Sequence, residues 1–178
     1  DFAAITYFDG QGFLAPKALG LTSARELSGA RICVQAGTAS QDNLADYFRA
    51  RGLSYKPVVV ASEAEARRLY EKDGCDVFTA DISALAGSRS VLNNPGAHMI
   101  LPDVISKEPL GPVVRQNDPV WADIVRWTVY ATILGEELGL TSKTVAQARE
   151  TASDPQTRRL LGVDGDYGGM LGLRRDWA

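Results

Sequence analysis

The chain of 178 residues is long enough for one sizeable core or two small lobes, and its content of 45% hydrophobic and 23% charged residues is ordinary for a globular protein. The formal net charge is −3 and the chain has no run of Lys or Arg, so its charge does not favour nucleic-acid binding. No apolar segment approaches the roughly 20 residues that a membrane-spanning helix needs. The opening residues are already typical of a strand and a turn, so we expect either a fragment or a processed form of a longer protein.

The first part of the chain is predicted to alternate between short apolar strands and helices. Strands are predicted at 12–16, 31–36, 57–61, 76–80 and 98–101, and helices at 41–51, about 62–72 and about 82–90. At the start of the second helix, Ser62 and Glu65 match a capping box. Alternation with short connections predicts an α/β fold with a doubly wound, mostly parallel sheet and helices on both of its faces.

The remainder of the chain is predicted to be mainly helical, after a glycine turn and a short apolar strand within 108–116. A long helix is predicted over 118–138, because Asp and Pro are favoured at a helix start and Gly139 at its end. Further helices are predicted at about 142–152 and from 153–155 to Gly162, before a glycine-rich and irregular tail.

Small and polar residues occupy the end of the predicted strand 31–36 and its junction with the helix that follows. They are Gln35, Gly37, Thr38, Ala39 and Ser40. Small side chains leave the backbone N–H groups at a helix start accessible. These unpaired donors, together with the partial positive charge of the helix dipole, attract anions. We predict an anion site at this junction. The alternative is that Thr38 or Ser40 only caps the helix.

Asp81 follows the predicted strand 76–80 and is the second candidate site residue. In a doubly wound sheet, ligands bind beyond the carboxyl ends of the strands where strand order switches. If the strands 31–36 and 76–80 are neighbours, an anion-binding helix start faces a carboxylate, and this pair suits a zwitterion. The alternative is that Asp81 only caps the next helix.

Other motifs exclude several classes of chemistry. His98 is the single histidine and lies in a predicted strand, so a histidine-based triad or a multi-histidine metal site is excluded. The chain contains neither a P-loop motif nor a glycine-rich dinucleotide-binding motif. The DGDYGG segment at 164–169 hints at a calcium loop, but Arg175 stands where the bidentate Glu is needed. We therefore predict no metal, no cofactor and no catalytic residue.

The two cysteines, Cys33 and Cys75, allow two interpretations from the sequence. They are either a pair of small buried thiols or a single disulfide, which would imply an oxidising compartment.

Several segments together resemble one known family. They are ITYFDGQGF, ICVQAGT, NLADYF, CDVFTAD, ISKEPLGPVVRQ and the C-terminal LGLRRDWA, which run through nearly the whole chain. This combination resembles the general L-amino-acid-binding proteins of bacterial ABC importers, within the polar amino-acid (family 3) solute-binding proteins. The resemblance implies a type II periplasmic binding protein fold with one antiparallel crossover strand. It also implies a periplasmic protein that closes two lobes on a free L-amino acid and delivers it to the membrane subunits of an ABC permease.

The resemblance also assigns roles to the candidate residues. It implies that Thr38, Ala39 and Ser40 hold the α-carboxylate of the ligand and that Asp81 holds its α-ammonium. Relatives often carry a hydroxyl where this chain has Ala39, so here the backbone N–H remains but one side-chain donor is absent. Export to an oxidising compartment favours the disulfide between the two cysteines.

The chain differs from this family in length. Family members carry a first lobe before the YFDGQG crossover, which supplies an arginine for the carboxylate, and we expect it to be missing here. We therefore interpret residues 1–12 as a crossover strand, 13–109 as the second lobe, and 110–178 as the other crossover with the C-terminal helices of the first lobe. The helix 118–138 would then lack the sheet it normally covers. We expect self-association through its apolar face and weak ligand binding by the chain.

A second function from another class stays open at this point. It is a periplasmic enzyme on the same fold, of the cyclohexadienyl or arogenate dehydratase kind. The sequence offers no obvious acid–base pair beyond Asp81, which the binding role already uses, so we expect a binding protein and not an enzyme.

Overall fold

A computed structural model describes residues 1–178, which separate into two units. One unit is the continuous segment Phe8–Pro109, and the other combines Asp1–Tyr7 with Leu110–Ala178. Two short strands, β1 (Tyr7–Asp9) and β7 (Glu108–Leu110), pair with each other as a separate two-stranded sheet. The division between the units runs through both of these strands.

The Phe8–Pro109 unit is built on a five-stranded sheet. Its strands are β2 (Gln11–Pro16), β3 (Arg31–Gln35), β4 (Lys56–Val60), β5 (Val77–Asp81) and β6 (His98–Ile100), in the order β4-β3-β5-β2-β6. β3 pairs in parallel with β4 and β5, whereas β2 runs antiparallel to β5 and β6. The sheet is thus mostly parallel with one antiparallel strand, which confirms the expected fold class.

Helices cover both faces of this sheet. They are α1 (Ala39–Ala50), α2 (Glu63–Glu71) and α3 (Ile82–Ser90). Side chains alternate along β3, so Ile32 and Val34 pack into the cluster that contains Phe48 of α1. Cys33 points to the opposite face, into the cluster that contains Tyr70 of α2. Each large apolar side chain buried in this way stabilises the fold by about 1.5–3 kcal/mol.

The two cysteines form a disulfide in the second of these clusters. The Cys33 and Cys75 sulfur atoms lie 2.08 Å apart and the Cα atoms 5.7 Å apart. Cys33 lies in β3, and Cys75 lies just before β5, the neighbouring strand. The parallel pairing of β3 and β5 therefore brings together two residues that are separated by 42 positions in the sequence.

The second unit is helical after β7. Its helices are α4 (Pro119–Glu137), α5 (Val145–Thr151), α6 (Pro155–Leu160) and α7 (Tyr167–Met170). Asp118 caps α4 by accepting a hydrogen bond from the Trp121 N–H at 3.0 Å, as the sequence predicts. The tail that was predicted to be irregular contains α7, because Asp166 caps its first turn through the Gly169 N–H. None of the helices has the length and apolarity that a membrane crossing requires.

The long helix α4 has no buried residue. Trp121 and Trp127 are each 51% exposed. A cavity of about 460 Å³ opens beside α4 and is lined by aromatic and aliphatic side chains, among them Trp127, Tyr130, Leu134, Tyr167 and Trp177. The apolar side chains of α4 are therefore left largely uncovered within their own unit.

Candidate functional site

The carboxyl ends of β3 and β5 lie side by side at one edge of the sheet. The two strands pair in parallel, with Ile32 opposite Val77 and Cys33 opposite Phe78. β4 lies on the far side of β3, so the strand order switches between β3 and β5. Ligands of doubly wound sheets bind at such a switch point. The start of α1 and Asp81 both lie at this edge. The zwitterion hypothesis required the strands that precede them to be neighbours, and β3 and β5 are.

The start of α1 presents free backbone donors. Thr38 is the N-cap residue, with an extended backbone at φ −110° and ψ 157°, but its side chain makes no capping bond. Instead, its Oγ1 donates to the carbonyl oxygen of Gln35 at 2.9 Å. The N–H groups of Thr38, Ala39 and Ser40 donate to no acceptor of the protein. Helix α1 thus begins earlier than predicted and offers three unpaired donors at the positive end of its dipole.

Gly37 and Gln35 contribute to this junction in different ways. Gly37 has φ +67°, in the left-handed region that glycine adopts readily, and so allows the sharp turn into α1. Its N–H is already occupied, since it donates to Oε1 of Gln41 at 3.0 Å. The Gln35 side chain is half-buried at the end of β3 and makes no hydrogen bond within the protein.

Asp81 is the last residue of β5 and precedes α3, yet its carboxylate does not cap that helix. Asp9 takes that position: its Oδ2 accepts a hydrogen bond from the Ser83 N–H at 3.3 Å, and its Oδ1 accepts one from the Gly10 N–H at 2.8 Å. Asp9 is only 8% exposed. The capping alternative for Asp81 is therefore not what the structure adopts, and the Asp81 carboxylate is left without a partner.

Burial and acidic neighbours disfavour the charged form of Asp81. Burial raises the pKa of Asp81, and the carboxylates of Glu108, Asp9 and Glu63 raise it further. At Asp9, burial also acts to raise the pKa, but hydrogen bonds, the largest of them from Ser83, outweigh it and hold that pKa below its ordinary value. Because a bound ammonium would relieve the unpaired charge of Asp81, this carboxylate is suited to a cationic partner.

Gln11 is a site residue that the sequence reasoning missed. The antiparallel pairing of β2 with β5 places Gln11 opposite Asp81. Its Nε2 donates to the carbonyl oxygen of Ser40 at 2.9 Å and to Oγ1 of Thr79 at 2.9 Å. The sequence shows only a glutamine between two glycines in DGQGF, which is typical of an exposed turn, whereas the structure buries Gln11 completely.

Glu108 is a second residue that the sequence reasoning missed. Its Oε1 accepts hydrogen bonds from Ser106 Oγ at 2.8 Å and from Asn43 Nδ2 of α1 at 3.5 Å. Ser106 Oγ in turn accepts a hydrogen bond from the Gln11 N–H at 2.9 Å. Glu108 therefore lies beside the first turns of α1, at the same edge as Asp81.

These groups are chemically suited to a small ion that carries both charges. Three N–H donors lie at the start of α1 and an unpaired carboxylate lies at the end of β5. Gln11 donates a hydrogen bond to the Ser40 carbonyl oxygen and lies opposite Asp81 in the sheet. Charge-assisted hydrogen bonds of this kind are the strong ones in proteins. His98 lies away from this edge, at the start of β6, where its Nδ1 is 2.6 Å from the Tyr70 hydroxyl.

Comparison with known proteins identifies relatives along the whole chain, although no family model matches it. The glutamate/glutamine/aspartate/asparagine-binding protein BztA of Rhodobacter capsulatus is 49% identical over 178 residues, which are 100% of this chain and 53% of that protein. The general L-amino acid-binding periplasmic protein AapJ of Rhizobium johnstonii is 49% identical over 180 residues, with 100% and 52% covered. A solved ABC transporter periplasmic binding protein from Brucella ovis, with glutathione bound, superposes with a TM-score of 0.93 at 49% identity, over 99% of this chain and 56% of that one.

The chain spans about half the length of the curated relatives that it matches. A further relative, YhdW of Escherichia coli K12, is 45% identical over 177 residues and is named as a putative amino-acid ABC transporter-binding protein. The chain is therefore a homologue, over its whole length, of the amino-acid-binding periplasmic proteins of ABC transporters, and it has the type II periplasmic binding protein fold.

Proposed function

We propose that this chain binds a free L-amino acid at the switch point of its sheet. The amides of Thr38, Ala39 and Ser40 hold the α-carboxylate, and Asp81 holds the α-ammonium. The observation that carries the proposal is the unpaired carboxylate of Asp81, which is left free because Asp9 caps α3 in its place. A carboxylate that serves only the fold would be expected to take the nearby cap itself.

The relatives support a proposal for the biological role. BztA and AapJ are named as amino-acid-binding proteins, and AapJ as periplasmic. We infer that this chain acts in the periplasm as the binding part of an ABC importer and delivers its amino acid to the membrane subunits of the permease.

The charges of the site favour a zwitterion over an anion or a cation alone. The helix start attracts the carboxylate, whereas Asp81 and its acidic neighbour Glu108 repel it and attract the ammonium. Each charge-assisted hydrogen bond contributes about 1.5–3 kcal/mol when it is shielded from water. Because burial raises the pKa of Asp81, protonation removes the ammonium partner and we expect binding to weaken as the pH falls.

A second ligand class is favoured by the Brucella ovis protein, whose solved structure contains glutathione. Glutathione is a γ-glutamyl peptide, so its glutamyl end keeps a free α-carboxylate and a free α-ammonium. The same amides and the same Asp81 carboxylate could hold that end, with the rest of the peptide extending away from the sheet edge.

The proposal is tested by following the backbone amide signals of the ¹⁵N-labelled chain by NMR during titration with L-glutamine, and separately with glutathione. We expect shifts at Thr38, Ala39, Ser40 and Asp81 with L-glutamine. Asp81→Asn should weaken binding about tenfold, the equivalent of one charge-assisted hydrogen bond. Asp46→Asn is the matched control, because Asp46 lies exposed on α1 and pairs only with Arg49.

The outcome decides between the candidate functions. An affinity for L-glutamine that is unchanged in Asp81→Asn would refute the proposed site. Amide shifts confined to other parts of the chain would also refute it. Saturation of the shifts at a lower concentration of glutathione than of L-glutamine would favour the peptide ligand. Turnover of arogenate or prephenate by the chain would instead favour the dehydratase function.

A further inference from the structure

The side-chain amide of Gln11 has only one orientation that fits its surroundings. The Ser40 carbonyl oxygen can only accept a hydrogen bond, so the group that faces it at 2.9 Å must be the Nε2 donor. The Thr79 hydroxyl donates to the carbonyl oxygen of Gly12 at 2.7 Å, so towards Gln11 it too can only accept. The opposite assignment of the amide would set two acceptors against Oε1.

This fixed orientation leaves Gln11 Oε1 buried without any hydrogen-bond partner in the protein. Gln11 is 0% exposed. A buried carbonyl oxygen without a donor destabilises a fold. Methionine or leucine would fill a similar volume at this position without that cost. A polar residue that is unfavourable for stability at a ligand edge suggests a role in the site.

The two hydrogen bonds of Gln11 connect the elements that carry the two charges of the site. Ser40 is in the first turn of α1, whose free amides are the candidate carboxylate site. Thr79 lies two residues before Asp81 on β5, so the two side chains point to the same face of the strand. Gln11 itself lies opposite Asp81 in the sheet.

We propose that Gln11 is a positioning residue for ligand binding: its amide fixes the start of α1 relative to the end of β5, so that the carboxylate and the ammonium of one ligand are bound at once. This inference rests on the function proposed above. Without the link, each group can still bind its own ion, but the two positions are no longer held at the spacing of an amino acid.

Gln11→Met separates positioning from simple stabilisation. Ser40 O is also an acceptor within the α-helix, and the Thr79 hydroxyl keeps its bond to Gly12, so the substitution leaves no partner unsatisfied. It also removes the unpaired Oε1. We expect Gln11→Met to unfold within about 3 °C of the unsubstituted chain. Gln147→Met, on an exposed position of α5, is the matched control.

The readout compares two probes, L-glutamine and its deamino analogue glutaramate, which keeps the carboxylate but lacks the ammonium. Affinities are obtained from NMR titration of the chain. We expect the unsubstituted chain to prefer L-glutamine about tenfold, from one charge-assisted hydrogen bond. In Gln11→Met this preference should fall below about threefold while glutaramate binds as before, because only simultaneous binding is lost.

Thr79→Val is the second variant, since it removes the β5 acceptor of Gln11 and leaves the bond to Ser40. It should reduce the preference in the same way. An undiminished preference in both variants would overturn the positioning role, as would a failure of both variants to fold, which would make the network a requirement of folding. The proposed function fails separately, if the unsubstituted chain shows no preference for L-glutamine or if Asp81→Asn keeps that preference.

Discussion

Replacing Asp9 with alanine should destabilise the Phe8–Pro109 unit. Asp9 is buried, and its carboxylate accepts hydrogen bonds from the N–H groups of Gly10 and Ser83. By accepting from Ser83, the carboxylate caps the start of α3. Losing an N-cap costs about 0.5–2 kcal/mol, and a hydrogen bond to a charged group contributes about 1.5–3 kcal/mol. We expect Asp9→Ala to lower the free energy of unfolding by about 2 kcal/mol, which for a chain of this size lowers Tm by about 4–8 °C.

Urea denaturation followed by circular dichroism measures this difference, with Asp46→Ala on the exposed face of α1 as the control. The pH dependence provides a second test. Burial raises the pKa of Asp9, but its hydrogen bonds hold it below the ordinary value, so its stabilisation is fully present above the unfolded-state pKa, at about pH 4. That stabilisation is lost as the pH falls through the lower folded-state pKa. The difference between Asp9→Ala and the unsubstituted chain should therefore shrink in acid.

Two results would refute the capping role of Asp9. One is a loss of unfolding free energy in Asp9→Ala no larger than that in Asp46→Ala. The other is a stability difference between Asp9→Ala and the unsubstituted chain that persists at low pH. It would also weaken the case that Asp81 is reserved for a ligand. The reason is that Asp81 is free only because Asp9 supplies the cap of α3.

Three further outcomes are expected. Asp81→Asn should raise the midpoint of urea unfolding at pH 7. Burial raises the pKa of this unpaired carboxylate, so its charged form destabilises the fold. A lower midpoint in Asp81→Asn would contradict this reasoning. Replacing both Cys33 and Cys75 with alanine should lower the free energy of unfolding by about 3–4 kcal/mol, from the loop that the disulfide closes; equal stability by urea denaturation would argue against it. The chain should self-associate in light scattering through the exposed face of α4, and Trp127→Glu should reduce the association; a monomer at all concentrations would refute this.

The local pattern of the chain was sufficient to predict most of the elements. The apolar run of β3 and the 3–4 spacing of Leu44, Tyr47 and Phe48 in α1 correspond to buried side chains in the structure. The cap of α4 by Asp118 was also predicted, because capping depends on residues within one turn. The short helix α7 was missed, since glycines dominate its sequence and helix propensity there is poor.

The sequence by itself determined the two charged parts of the candidate site, because small residues at a helix start and a carboxylate after a strand are local features. Only the tertiary structure decided which of them are free. Asp9 reaches the start of α3 from 74 positions away, and Gln11 reaches Ser40 and Thr79 from 29 and 68 positions away. Such contacts depend on the register of β2 against β5, which brings Gln11 opposite Asp81. Register is set by how the whole hydrophobic pattern of the sheet packs, so the choice between cap and ligand group at Asp81 was made by the fold.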